Sequence, residues 1–136
     1  MDLFAGTGAL GLEAMSRGAS RVDFVENGPA SLHALKANVA ALRVRKKTRI
    51  FKRDAIPFVE ALEAGSYDVA FADPPYGSRK LDRVVEQWLR VPFSRILTVE
   101  HDRAHQVPGR AKHYDVGGQT RVSVYSARVH REPDSS

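Results

Sequence analysis

The first stretch of this sequence that could do chemistry is a glycine-rich loop near its start, Asp2-Leu3-Phe4-Ala5-Gly6-Thr7-Gly8. Glycines let the backbone approach a ligand closely and adopt conformations closed to other residues. A helix that begins after such a loop offers free N–H groups to the same ligand. The loop therefore predicts a site for a nucleotide-like cofactor.

An acidic residue, Glu26, follows Gly6 by about 20 positions, the spacing of the carboxylate that binds ribose in a dinucleotide site. Its two oxygens can accept hydrogen bonds from both ribose hydroxyls. Gly6, Gly8 and Gly11 also fit the G-x-G-x-x-G pattern of nicotinamide-dependent dehydrogenases, so the loop and Glu26 alone leave a dehydrogenase as a rival.

A second carboxylate, Asp54, follows a predicted third strand and can accept a hydrogen bond from the amino group of an adenine, with the N–H of Ala55 beside it. Aspartate at this position also favours an N-cap for the helix predicted after it. Both interpretations can hold together, since one carboxylate has several acceptor positions.

The motif Asp73-Pro74-Pro75-Tyr76 distinguishes a dehydrogenase from other enzymes that bind a nucleotide-like cofactor. An exocyclic amino nitrogen on a nucleic-acid base is a poor nucleophile, because its lone pair is delocalised into the ring. The Asp73 carboxylate and the Pro74 carbonyl can hold both amino hydrogens and aim the lone pair at an electrophile, in a geometry that the two prolines fix. Tyr76 offers a ring on which an extruded base can stack. No dehydrogenase needs this motif, which predicts transfer of a group to a base nitrogen.

The elements that must position these motifs alternate between short apolar runs and stretches of helical period, which is typical of a parallel sheet covered by helices on both faces. Predicted strands cover 1–4, 21–26, 48–52, 67–72 and 95–100. Helices are predicted over 8–17, from Pro29 to Leu42, around 56–62 and over 81–89. Gly117-Gly118 separates two further extended stretches, 112–116 and 120–129, as a hairpin turn would. The sequence predicts one α/β domain over 1–127 and a C-terminal tail over 128–136.

Composition restricts the class of protein further. The 136 residues include no cysteine, which excludes disulfides and thiolate metal sites and favours the cytoplasm. Apolar runs are strand-sized, so we expect no membrane association. His101, His105 and His113 lack convincing zinc spacing and are interpreted as surface or RNA-facing residues, so no metal is expected.

The net charge of +5 indicates a polyanionic partner only weakly. Basic residues are concentrated within eleven positions: Arg43, Arg45, Lys46, Lys47, Arg49, Lys52 and Arg53. This cluster is either a solvated helix end and strand flank or a surface that contacts phosphates, and the sequence leaves both open. Arg79 and Lys80 could likewise hold phosphates beside a target base or belong to a solvated loop.

With these motifs in place, the chain resembles the bacterial 16S ribosomal RNA guanine-N2 methyltransferases of the small-subunit methyltransferase D type. The similarity rests on residues 2–14 with Ser16-Arg17-Gly18-Ala19, then Val25-Glu26-Asn27, Asp54-Ala55 and Asp73-Pro74-Pro75-Tyr76, and extends from Met1 to about Ala127. Asp-Pro-Pro-Tyr alone is shared with DNA adenine and other base-amino methyltransferases. The resemblance implies a Rossmann-like, mostly parallel twisted sheet with a C-terminal antiparallel hairpin, S-adenosylmethionine as cofactor, and ribosomal RNA or the small ribosomal subunit as partner.

The resemblance also implies site residues. Asp2, Gly6 and Gly8 would surround the methionine part of the cofactor, Glu26 the ribose, Asp54 and Ala55 the adenine, and residues 73–76 the guanine. The full cofactor set expected is Asp2, Phe4, Ala5, Gly6, Thr7, Gly8, Glu26, Asn27, Asp54, Ala55 and Asp73. Asp73, Pro74, Pro75 and Tyr76 form the expected catalytic set.

Relatives of this type normally carry an additional N-terminal segment, a basic β-hairpin and a helix that contact RNA and complete the cofactor pocket. This sequence has only Met1 before Asp2, so a short central strand is expected. We expect a monomer. The alternatives kept open are a DNA adenine-N6 or other base-amino methyltransferase, and a truncated, inactive homologue that serves as a cofactor-binding or RNA-binding module.

Overall fold

The computed structural model describes residues 1–75, 77 and 79–127, and the predicted tail at 128–136 lies outside them. Its strands are β1 Asp2–Leu3, β2 Val22–Val25, β3 Thr48–Phe51, β4 Tyr67–Ala72, β5 Ser94–Asp102, β6 Lys112–Gly117 and β7 Thr120–Ser126. Its helices are α1 Ala9–Ser16, α2 Pro29–Ala41, α3 Ala55–Glu60 and α4 Lys80–Arg90, and Arg45–Lys47 forms a 3₁₀ turn.

The strands form a single seven-stranded sheet in the order β3-β2-β1-β4-β5-β7-β6. Strands β1 to β5 are parallel to one another, while β7 pairs antiparallel with both β5 and β6. The predicted α/β class, with a mostly parallel sheet and a C-terminal antiparallel hairpin, is confirmed. Within the described residues no helix is long and apolar enough to cross a membrane.

The central strand β1 is only two residues long, and it pairs on both sides. Leu3 lies opposite Val25 of β2 and opposite Ala72 of β4. The next two strands in the chain, β2 and β3, lie on one side of β1, and β4 pairs with its other side, so the strand order reverses between β1 and β4. Ligands of open α/β sheets bind beyond the carboxyl ends of the strands at this point.

Helices cover the two faces of the sheet in pairs, and each pair has its own cluster of buried side chains. On the face covered by α1 and α2, the alternate β2 residues Val22 and Phe24 pack with Leu35 and Val39 of α2. The cluster of buried side chains on the opposite face is larger, and it includes Val25, Ile56, Phe58, Val59, Val84, Val85, Trp88, Leu97, Val99 and Tyr125. Helices on both faces, as the sequence predicts, therefore hold the strand ends in place.

Local sequence signals explain where several elements begin and end. Pro29 is the first residue of α2, where its missing N–H costs nothing. The side chain of Asp54 accepts a hydrogen bond from the N–H of Ile56 at 3.2 Å, so the predicted N-cap of α3 is confirmed. Gly18 adopts φ +109° after α1. Gly117 at the end of β6 and Gly118 in the turn to β7 adopt φ +121° and +53°.

Some apolar predictions for helix faces are wrong. Leu42, predicted on the apolar face of α2, is the C-cap residue and is 58% exposed. Leu89, predicted in the apolar stripe of α4, is 43% exposed. A Cβ added to Gly109 would lie 2.8 Å from Leu89 Cδ1, so this leucine packs against the loop before β6.

Candidate functional site

The glycine loop follows β1 directly and has the backbone conformations that its sequence predicts. Gly6 and Gly8 adopt φ +58° and +86°. A Cβ added to Gly6 would meet nothing within 4 Å, so the loop is open above this residue, whereas one on Gly8 would clash with Leu35 Cδ1. Phe4, which is not glycine, also has a positive φ of 56°. Such conformations in non-glycine residues are concentrated at functional sites.

The Glu26 carboxylate is held by two backbone N–H groups from opposite sides. Its Oε1 accepts from Gly6 at 2.7 Å and its Oε2 accepts from Gly28 at 2.8 Å. Each carboxylate oxygen has a further acceptor position. Glu26 is therefore fixed beside the loop and can still accept two hydroxyl groups.

Asp2 lies under the loop and is 2% exposed. Its Oδ2 accepts a hydrogen bond from the N–H of Gly11 at 3.0 Å, which links β1 to the first turn of α1. Burial, only partly offset by this N–H, raises the pKa of the Asp2 carboxyl to about 7. Asp2 is thus a buried carboxyl group directly beneath the predicted cofactor site.

The other predicted cofactor residues lie around the same edge of the sheet. Asn27 and Thr7 are exposed, and the Thr7 carbonyl accepts from Asn38 Nδ2 at 3.0 Å. Asp54 is exposed beyond β3, and Ala55 is buried at the start of α3. Since β1, β2 and β3 are adjacent and parallel, the segments that follow them line one continuous edge.

Asp73 comes one residue after Ala72, the β4 residue that pairs with Leu3, while Phe4 follows Leu3. The turn at Asp73 and the glycine loop therefore begin side by side. Pro74 is buried and Pro75 is exposed, while Tyr76 lies outside the described residues. Partial burial and the nearby Glu100 raise the pKa of Asp73 above its usual range.

A cavity of about 610 Å³ adjoins this turn, within the range of about 300–1,000 Å³ typical of small-ligand sites. Pro74 and Pro75 contribute apolar surface to the lining, and charged side chains and two histidines contribute polar groups. The full lining is Pro74, Pro75, Gly77, Arg79, Leu81, Asp82, Glu100, His101, Asp102, Ala104 and His105. The cavity thus lies on the β4 and β5 side of Asp73, whereas the glycine loop lies on the β1 side.

A group of histidines, two of which line this cavity, differs from the sequence prediction. His101 is 5% exposed, so its interpretation as a surface residue is wrong. Its Nδ1 is 2.9 Å from the Asp102 carbonyl, and its Nε2 is 2.6 Å from the hydroxyl of Ser123. His113 Nδ1 lies 2.6 Å from the same hydroxyl. His105 is half-buried and bonds Asp82 Oδ1 at 2.8 Å.

These hydrogen-bond partners determine which nitrogen of His101 and of His113 carries a proton. A carbonyl only accepts, so Nδ1 of His101 donates to Asp102 and its neutral Nε2 accepts the Ser123 hydroxyl. Ser123 must then accept from Nδ1–H of His113. Burial lowers the pKa of His101, which agrees with the neutral form. The network rigidly supports the cavity wall, and no spacing signal in the sequence brings these three residues together.

Lys80 makes a contact with Phe4 that the sequence does not predict. Its Nζ lies 6.0 Å from the ring centroid of Phe4, at the outer range of a cation–π interaction. The start of α4 therefore reaches across from the Asp73 turn to the glycine loop. The two parts of the candidate site are connected through this pair.

Comparison with known proteins gives concordant results. The family profile described as "Conserved hypothetical protein 95" matches residues 1–125. "Putative rRNA methyltransferase YlbH" of Bacillus subtilis (strain 168) is 30% identical over 139 aligned residues, which cover 94% of this chain and 75% of the relative. "Ribosomal RNA small subunit methyltransferase D" of Escherichia coli (strain K12) is 28% identical, with 99% of this chain and 71% of the relative covered.

Among solved structures, a conserved hypothetical protein of Streptococcus pyogenes superposes with a TM-score of 0.80. The match covers 95% of this chain and 86% of that one, at 24% identity. This likeness supports the fold.

Proposed function

The chain belongs to the family described as conserved hypothetical protein 95, and from that premise we propose that it methylates the exocyclic N2 amino group of a guanine in 16S ribosomal RNA, with S-adenosylmethionine as cofactor. Its relatives in Bacillus subtilis and Escherichia coli are named as ribosomal RNA methyltransferases. The observation that carries the proposal is the pairing of Leu3 with Ala72, because it starts the glycine loop and the Asp73 turn side by side.

The described residues fit the cofactor. Glu26 has the acceptor positions for two ribose hydroxyls, and the open surface at Gly6 leaves room for a ligand against the backbone. Asp54 and the N–H of Ala55 would hold the adenine. The rest of the proposed set is Asp2, Phe4, Ala5, Thr7, Gly8, Asn27 and Asp73. When bound, the cofactor supplies an electrophilic methyl group on a sulfonium centre.

The reacting base is proposed to lie between the Asp73 turn and the cavity beside it. The Asp73 carboxylate and the Pro74 carbonyl accept the two amino hydrogens and direct the nitrogen lone pair toward the glycine loop. After methylation the nitrogen must lose one proton. Asp73 is suited to receive it, because burial and Glu100 raise its pKa. Tyr76 remains the predicted stacking partner of the base.

The remaining proposals concern the whole molecule. Residues 1–127 would act as one catalytic domain, as a monomer, in the cytoplasm and without a metal ion. Ribosomal RNA is favoured over DNA as the substrate by the names of the relatives, whereas guanine as the target base rests on the resemblance of the motifs. An inactive homologue that only binds cofactor or RNA is the second candidate, and the same experiment separates it from an enzyme.

The proposed function predicts that the chain transfers labelled methyl groups from S-adenosylmethionine to small ribosomal subunits, or to their naked RNA, from a strain that lacks the modification. Nuclease digestion and mass spectrometry should identify N2-methylguanosine as the product. Methylated adenosine would identify the alternative base, and duplex DNA as the preferred substrate would contradict the RNA assignment. Cofactor binding without transfer to any of these substrates would indicate the inactive module.

Glu26→Ala is expected to weaken binding of S-adenosylmethionine by about 1–3 kcal/mol, because two buried hydroxyl hydrogen bonds lose their acceptor. Glu26→Gln, which keeps one acceptor oxygen, should be intermediate. Isothermal calorimetry measures the affinities, with Glu60→Gln as a control at an exposed glutamate of α3. NAD should give no heat. Binding of NAD in place of S-adenosylmethionine would instead support the dehydrogenase interpretation.

A further inference from the structure

A strongly charged surface that the proposed chemistry does not use lies at one edge of the sheet. We define this basic edge as Arg43, Arg45, Lys46, Lys47, Arg49, Lys52 and Arg53. It starts just after α2, passes through the 3₁₀ turn and follows β3, the outermost strand on this side of the sheet. All seven side chains are exposed.

Most of this charge is not neutralised within the protein. Arg49 is paired, since its Nε and Nη2 donate to the two oxygens of Asp23 at 2.9 and 2.7 Å. In the part of the chain that the structure describes, the other six cations form no ion pair. A surface of adjacent, uncompensated cations raises the local concentration of a polyanion.

Two arginines of the basic edge are also held in place by aromatic rings. The Arg49 guanidinium lies 5.5 Å from the ring centroid of Phe51, and that of Arg53 lies 5.8 Å from Phe58. The two rings contact each other at 5.0 Å. Guanidinium groups stacked in this way keep N–H donors for phosphate oxygens and lose less conformational freedom when they bind.

A solvated helix end does not account for the whole cluster. Cations after the C-terminus of α2 are favoured by the helix dipole, but this effect falls off within the last turn. Lys52 and Arg53 lie at the other end of β3, roughly 13 Å further along the strand. Arg43 has φ +57°, a conformation that favours glycine after a helix. The chain therefore keeps a cation where backbone energetics favour a smaller residue.

The position of the basic edge relative to the candidate site indicates what it contacts. Lys52 and Arg53 directly precede Asp54, so the basic edge ends at the corner of the proposed cofactor site. Grooves of about 350 and 520 Å³ run along its other end and share Arg45. A polymer of phosphates lying along β3 would reach from these grooves to the edge of the sheet where the base is proposed to react.

We propose that the basic edge binds the phosphodiester backbone of the RNA substrate and positions it as the target base enters the site. This inference rests on the proposed function for the identity of the polyanion. Contacts of this kind position a nucleic acid without reading its sequence. The basic edge thus supplies affinity and orientation, whereas the Asp73 turn selects the reacting atom.

The test is a charge-removing triple variant of the 3₁₀ turn, Arg45→Gln with Lys46→Gln and Lys47→Gln. Filter binding with in vitro transcribed 16S ribosomal RNA, over a series of salt concentrations, should show an affinity lower by on the order of a hundredfold at low salt. The slope of log affinity against log salt should fall by about 2 to 3. Thermal melting and calorimetry with S-adenosylmethionine should be unchanged.

Two matched control variants distinguish the effect of where the cations lie from the effect of the total charge of the protein. Arg45→Lys with Lys46→Arg and Lys47→Arg keeps the charges and should bind RNA like the parent. Arg90→Gln with Arg95→Gln and Arg110→Gln removes three exposed cations elsewhere and should lower the affinity much less. Equal losses in both neutralised variants, or no loss in the first, would overturn the inference.

Binding and catalysis are scored separately. If the parent binds RNA through the basic edge yet methylates no RNA, the inference stands and the proposed function fails. If the parent methylates RNA and the first neutralised variant binds and methylates it equally well, the proposed function stands and the inference fails. If the basic edge binds an acidic protein instead of RNA, the neutralised variant will bind and methylate RNA like the parent. A parent with no measurable RNA affinity also overturns the inference.

Discussion

Replacing Asp73 with alanine is expected to lower the rate of methyl transfer by about a hundredfold or more, the scale for loss of one preorganised hydrogen-bonding group. Cofactor affinity should stay within a few fold of the parent, because Glu26 is held independently by Gly6 and Gly28. Single-turnover transfer of labelled methyl to small ribosomal subunits measures the rate, and calorimetry measures the affinity.

A matched control for this variant is available on the same strand. Asp68 is an exposed aspartate near the start of β4, at the opposite end from the candidate site, and Asp68→Ala should leave transfer unchanged. Asp73→Asn keeps one acceptor oxygen but no charge, so it should be slowed less than the alanine variant. Transfer by Asp73→Ala at the parent rate would show that the carboxylate does not hold the amino group.

The pH dependence gives an independent readout of the same group. An ionised Asp73 carboxylate accepts amino hydrogens more strongly than the neutral acid and can take up the proton released after methylation, so the rate falls as pH drops through its pKa. Partial burial and Glu100 raise that pKa, which moves the acid loss of rate to a higher pH than an ordinary aspartate would show. Glu100→Gln removes the like charge and should shift the acid limb of the parent profile to lower pH.

The positions of the candidate-site residues that directly follow a strand were predictable from the sequence. Strand β4 covers the predicted range 67–72, and it lies beside β1, as expected from the alternation of strands and helices in the chain. Because carboxyl ends of parallel strands meet at one edge, the positions of Glu26, Asp54 and Asp73 follow without any side-chain detail. The comparisons confirm the family resemblance drawn from these motifs.

Contacts between distant segments were not predictable in this way. His101, Ser123 and His113 come together only because β7 pairs with both β5 and β6, and the register of that pairing is not visible in residue spacing. The cation–π contact of Lys80 with Phe4 likewise depends on the path of the chain between Asp73 and α4. Their local sequences contain no signal for these partners.

Short departures from regular structure were also missed. Phe4 was predicted to lie in β1, yet its φ of 56° takes it out of the strand and into the loop. Residues 45–47 form a 3₁₀ turn, although no helix was predicted between 42 and 48. Propensity describes the average environment of a residue, whereas these conformations are set by the packing of neighbouring elements.

The buried carboxyl of Asp2 predicts an unusual pH dependence of stability. Burial raises its folded pKa to about 7 from an ordinary value of 3.8, so the folded state holds the proton more tightly than the unfolded state. The resulting stability is fully present below about pH 4 and is lost as pH rises through about 7. By linkage the loss is roughly 4 kcal/mol, at 1.36 kcal/mol for each pKa unit.

Asp2→Asn should remove this dependence, because the amide oxygen can still accept from the N–H of Gly11 while no buried charge forms. The Met1 amino group, whose pKa burial lowers, titrates in both proteins and changes stability in the opposite direction. The informative quantity is therefore the difference in unfolding free energy between parent and variant, measured with urea at about pH 5 and about pH 8. Relative to the parent, the Asp2→Asn variant should be more stable at about pH 8 than it is at about pH 5. Parallel stability curves would mean that Asp2 is ionised in the folded protein at both pH values, and the carboxylate would then be available as a charged partner for the cofactor.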